Sequence, residues 1–94
     1  MKVLWSPRAR LDLRELILYI AEDSIQAADL VNTRILNSSS VLSTFTRGGR
    51  PGRVKGTREK IVHKTPYILV YRVTRAHIRI LRVFHTSRKW PQAF

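Results

Sequence analysis

A change of hydrophobic period near the middle of this chain limits its fold more than any other feature. In the first half apolar residues return at three- and four-residue steps; from residue 58 onward they return at steps of two. Ala9, Leu13, Leu16, Ile17 and Ile20 form one stripe of a helix of about four turns, with Arg10, Arg14 and Glu22 outward. Ser6 stands at its N-cap, and Pro7 takes the first helical position, where a missing N–H costs nothing. Asp23 or Ser24 caps a second helix, Gln26 being placed for a capping box from Asp23. Its stripe runs through Ala28, Val31, Ile35, Leu42 and Phe45. Asn37 to Ser40 are poor helix formers, so its second half is expected to fray or face solvent.

Residues 58–63, 67–74 and 77–85 are rich in β-branched and aromatic side chains and are separated by Lys64-Thr65-Pro66 and by Arg75-Ala76. They read as three antiparallel strands joined by hairpins. In the third run Ile78 and Ile80 share one parity while Leu81 and Val83 share the other, so either both faces are covered or a bulge shifts the register. That run reads as the central strand. With a short strand at residues 2–5, the expectation for residues 1–94 is one α+β domain: N-terminal strand, helical hairpin, then a three-stranded antiparallel meander. The helices pack on one sheet face, which leaves the other exposed or concave.

Charge divides the chain at the same place. Residues 1–46 hold five basic and five acidic side chains; residues 47–94 hold thirteen basic groups against Glu59 alone, so the net charge of +12 lies in the second half. Solubility asks for far less, and such an excess implies an anionic partner. The stretch RGGRPGRVKGTREK, residues 47–60, concentrates six cations among four glycines and one proline, and reads as mobile. Arg50, Arg53 and Lys55 lie in it. Arg72, Arg79 and Arg82 sit within apolar strands, cannot be buried unpaired, and are expected at the open face or its edges. Together with Trp90 these are the candidate target- or partner-binding residues. No apolar run is long enough for a membrane span, no signal-peptide core is present and cysteine is absent, which together read as cytoplasmic. Three histidines without metal-ligand spacing imply neither a metal site nor a cofactor.

Three segments carry a resemblance: LWSPRARLDLRELILYIAED at the start, GTREKIVHKTPYILVYRV, and IRILRVFHTSRKWP at the close. Their order and spacing resemble the ParE/RelE superfamily of bacterial toxins from type II toxin–antitoxin modules, also called plasmid-stabilisation proteins. The likeness covers nearly the whole chain and is closer to ParE-like members. It implies the same fold order, a small cognate antitoxin that wraps the toxin in a hetero-oligomer, and growth inhibition by one of two routes. ParE-like members poison DNA gyrase; RelE-like members cleave messenger RNA on the ribosome without a metal.

Metal-free RNA cleavage needs a base for the 2′-hydroxyl, cations for the phosphorane and an acid for the leaving oxygen. His63, His85, Arg58 and Arg88 are the side chains of suitable type. Three of them also have a plainer reading: strand-end packing for the histidines, and a salt bridge of Arg58 with Glu59 at the sheet edge. The C-terminal tyrosine of several RelE-like enzymes is absent, with Trp90 and Phe94 in its region. Trp90 reads as a tail residue packing on the sheet or docking to a partner, and Tyr67 and Tyr71 as core. A plain nucleic-acid-binding module would show aromatics among its cations or a basic recognition helix, and neither is present.

Overall fold

The Ser6 side chain sets where the first helix begins and ties it to the far end of the chain. Its hydroxyl oxygen accepts the Ala9 N–H at 3.0 Å and its O–H donates to the Leu81 carbonyl at 3.0 Å, while its backbone N–H donates to the Ile80 carbonyl at 2.9 Å. In the computed structural model, which describes residues 1–91, 93 and 94, β1 spans Lys2–Trp5 and α1 spans Pro7–Ala21. Helix α2, Ile25–Val41, begins at Ser24, whose hydroxyl oxygen accepts the Ala27 N–H at 3.0 Å. Asp23 lies one residue too early to cap it, so the expected box with Gln26 does not form.

The serines of α2 do not fray. The helix runs unbroken to Val41; Asn37 and Ser40 face solvent, whereas Ser38 and Ser39 are buried, with the Ser39 hydroxyl donating back to the Leu36 carbonyl at 2.9 Å. Small side chains there let the helix approach the strands, a benefit that outweighs their low propensity. Phe45, expected on the helical stripe, lies beyond the helix and is exposed.

The strands β2 (Arg50–Pro51), β3 (Arg58–Ile61), β4 (Tyr67–Val73) and β5 (His77–His85) join β1 in one sheet of order β1-β5-β4-β3-β2. The meander from β3 to β5 is antiparallel, and β1 pairs parallel with β5 from Lys2 opposite His77 to Trp5 opposite Ile80. Strand β4, not the third run, is therefore central, because β1 and β2 each add one strand at either end. The parity shift in the third run is a bulge: Tyr71 faces Ile80 and Val70 faces Arg82, leaving Leu81 without a partner on β4.

Alternation along β4 builds two apolar layers. Tyr67, Leu69 and Tyr71 point to the helices and pack with Ala9, Ile35 and Leu42. On the opposite face Ile68 and Val70 meet Phe84, over which Trp90 folds back. The face expected to be open thus carries a second small core at one end. Among the described residues no helix is long and apolar enough to cross a membrane.

Candidate partner-binding surface

The glycine-rich basic segment is held, not mobile. Its anchor is Glu59, only 2% exposed, whose carboxylate accepts the Arg53 backbone N–H at 2.7 Å and the Arg50 guanidinium at 3.1 Å, with Arg53 Nε at 3.6 Å. A buried carboxylate requires such partners, and here they are the segment itself. β2 then pairs with β3, Arg50 opposite Glu59, and the Gly49 N–H donates to the buried Tyr71 hydroxyl at 2.9 Å. A Cβ at Gly49 would stand 2.5 Å from the Glu59 carbonyl oxygen and 2.8 Å from the Tyr71 hydroxyl, so only glycine fits. The Arg58–Glu59 bridge does not form: neighbours in a strand point to opposite faces. Arg58 instead donates to the carbonyls of Arg47 and Gly49.

Arg82 is likewise taken up inside the fold. Its guanidinium grips Asp12 of α1 by two bonds, Nε to Oδ2 at 2.7 Å and Nη2 to Oδ1 at 3.1 Å, and the same carboxylate accepts the Val83 N–H at 3.0 Å. β1 pairs with β5 only as far as Ile80, so Asp12 fills the free edge of β5 beyond it. Arg53 lies over the Trp90 ring, 3.9 Å from its centroid, and Trp90 in turn meets Phe84 at 4.9 Å. Arg72 and Arg79 are different. They face each other across β4 and β5, both exposed, and Arg72 Nε donates to the Gly56 carbonyl at 3.3 Å. Gly56 has φ of 81°, the left-handed region that favours glycine. Lys55 beside it is exposed, and the Arg50 side chain is 53% exposed.

The four side chains suited to acid–base or phosphate chemistry divide between the ends of the sheet. His85 pairs opposite Tyr67 and Arg58 opposite Tyr71. Four residue steps along β4 separate those pairs, about 13 Å along a strand. His63, in the turn after β3, and Arg88 belong with His85 at the first end; the Arg88 N–H donates to the His85 carbonyl at 3.0 Å. The His85 Nδ1 accepts the Ser87 N–H at 3.1 Å, with the Ser87 hydroxyl at 2.7 Å, and its ring stands edge-on to Tyr67 at 5.5 Å. Burial, and then the charge of Tyr19, push the Tyr67 hydroxyl pKa above its ordinary value. Arg88 lies 4.6 Å over the Phe84 ring.

Outside the sheet, an apolar groove of about 430 Å³ runs between the helices, lined by Trp5, Leu13, Ile17, Leu18 and Leu36 with Arg10 and Arg14 at its rim. Ile17, expected on the core-facing stripe of α1, lines this groove instead. The missed signal was the surplus of large apolar side chains off the stripe: Leu18, Tyr19, Ile25, Leu30 and Leu36 are all exposed.

Comparison with known proteins agrees with this architecture. A putative toxin, Y4kP, of Sinorhizobium fredii is 40% identical over 91 residues, covering 97% of this chain and 94% of its own. Toxin RelE2 of Caulobacter vibrioides is 29% identical over 87 residues, 93% of this chain and 97% of its own. A chain from the chromosomal ParDE toxin–antitoxin system of P. aeruginosa superposes with a TM-score of 0.80 at 25% identity, covering 90% of this chain and 95% of that one. Residues 3–90 match the family described as the ParE toxin of type II toxin–antitoxin systems. With its strand, helical hairpin and sheet in that family's order, the chain belongs to the ParE toxins and is the toxin half of a module whose other half is a cognate antitoxin.

Proposed function

We propose that this toxin arrests growth by binding and poisoning DNA gyrase. The observation that carries the reading is the separation of Arg58 from His85 by four residue steps of β4, which sets the exposed pair Arg72 and Arg79, next to the Arg58 end, apart from the histidines. The ParE family match supports the same choice. The antitoxin, in this reading, lays apolar side chains into the groove between α1 and α2 and turns acidic ones toward Arg10 and Arg14 at its rim. Association would then be fast and weakened by salt.

A second reading, metal-independent mRNA cleavage on the ribosome, is favoured by one observation: His63, His85 and Arg88 share one end of the sheet. Purified toxin assayed in parallel for gyrase-catalysed supercoiling and for cleavage of ribosome-bound mRNA separates the two. Loss of supercoiling with intact transcripts is expected. Cleaved transcripts with normal supercoiling would overturn the gyrase reading.

A further inference from the structure

Several cations of the β half have structural work. Arg53 is held by Glu59 and Trp90, Arg58 by two carbonyls, Arg82 by Asp12, and Arg88 lies on Phe84. Arg72 and Arg79 stand out because their placement opposes folding. They are directly opposite in register on neighbouring strands, on the face away from the helices, and both are exposed. Like charges at directly opposed positions destabilise a sheet. Among the described residues neither lies within salt-bridge range of a carboxylate, the four ion pairs being those of Arg8, Arg50, Arg53 and Arg82. Arg72 is oriented as well: its Nε bond to the Gly56 carbonyl commits one edge of the guanidinium and leaves the outer nitrogens free.

We infer that Arg72 and Arg79 form one composite seat for a carboxylate side chain on an acidic segment of a protein partner, kept at the expense of folding stability. Opposed side chains stand about 5 Å apart at Cβ, a spacing at which two guanidinium forks reach one carboxylate. A protein segment fits better than a nucleic acid strand. The aromatic rings of this face, Phe84, Trp90 and Phe94, cluster together at the other end, and Tyr71 points into the core, so a base entering beside Arg72 and Arg79 finds no ring to stack on. The inference rests on the reading of this face as a binding surface, and its test does not involve gyrase.

The decisive variant is Arg79→Gln, since Arg79 makes no side-chain hydrogen bond among the described residues and Arg72 does. Lys89→Gln, an exposed cation of the C-terminal tail, is the charge-matched control. Thermal unfolding and binding of a fluorescent hexaglutamate peptide are measured on both, in low salt. Arg79→Gln is expected to raise Tm by about 2–4 °C while weakening the peptide about tenfold, and Lys89→Gln to change the affinity less than twofold. A lowered Tm for Arg79→Gln would mean that the side chain has a stabilising partner, and equal peptide affinities in the two variants would mean that the pair is no seat; either result overturns the inference. A thymidine dodecamer bound more tightly than the peptide, and released by Arg79→Gln, overturns the choice of a protein partner. Supercoiling inhibition by wild type, scored separately, tests the gyrase reading alone.

Discussion

Replacing Asp12 by alanine should be among the most damaging single changes available in this toxin. Asp12 is buried, and its carboxylate serves three donors: Nε and Nη2 of Arg82, and the Val83 N–H on the strand edge that β1 does not reach. Removal leaves an Arg82 side chain, only 14% exposed, with no counter-charge, and strands a backbone donor away from water. Breaking a buried pair from one side costs about 3–5 kcal/mol, and the orphaned N–H alone costs about 1–3 kcal/mol. Partial access of water to Arg82 keeps the total near 4 kcal/mol, by the same range. At about 2.1 cal/mol/K per residue, a chain of 94 residues has an unfolding entropy near 0.2 kcal/mol/K, so Tm should fall by about 20 °C. The assay is urea and thermal unfolding followed by circular dichroism for Asp12→Ala, Arg82→Met and the double variant. Because paired apolar replacements often recover stability, the double variant should lie well above Asp12→Ala. A loss under about 1 kcal/mol for Asp12→Ala, or a double variant no more stable than that single one, would refute the account of this pair as a buried ion pair.

Gly49→Ala drives a methyl group into the Glu59 carbonyl and the Tyr71 hydroxyl, both backed by the sheet; a loss of about 2 kcal/mol or more and faster hydrogen exchange over residues 47–57 are expected. Trp90→Phe should cost less than about 1 kcal/mol, because the buried indole N–H has no acceptor among the described residues to lose, whereas Trp90→Ala removes the contacts with Phe84 and Arg53 and should cost about 1–3 kcal/mol in urea titrations. Tyr67 holds its proton more tightly folded than unfolded, so its contribution is complete below pH of about 10, the unfolded value, and is lost as pH rises through the higher folded value. Tyr67→Phe should therefore flatten the decline of Tm above pH of about 10 relative to wild type, as read by scanning calorimetry.

Both helices and the three-stranded meander were legible because hydrophobic period is a local signal, and Ser6 with Pro7 marked the start of α1. The bulge at Leu81 showed in the parity of Ile78, Ile80, Leu81 and Val83. Contacts distant in sequence were not legible. Asp12 counted only as one of five acids in a neutral half, although it neutralises Arg82 seventy residues away. Glu59, the lone acid of the basic half, was read as an edge residue, yet it organises Arg50 and Arg53 from beneath and so makes a glycine-rich run behave as ordered structure. Ser38 and Ser39 misled because their helix propensity is weak, yet both are buried within an unbroken α2. The basic surface itself was half visible: composition announced the charge, and only the pairing register distinguishes Arg72 and Arg79 from cations engaged in the fold.

The parallel junction of β1 with β5 joins the second residue of the chain to the seventy-seventh. Closing so wide a loop is entropically unrewarded until residues 77–85 exist, since β5 also supplies Ile78, Ile80 and Val83 to the main core. Synthesis interrupted before that strand emerges yields a fragment without the strand that joins β1 to β4. Closure of the sheet therefore waits on β5, whichever elements form before it.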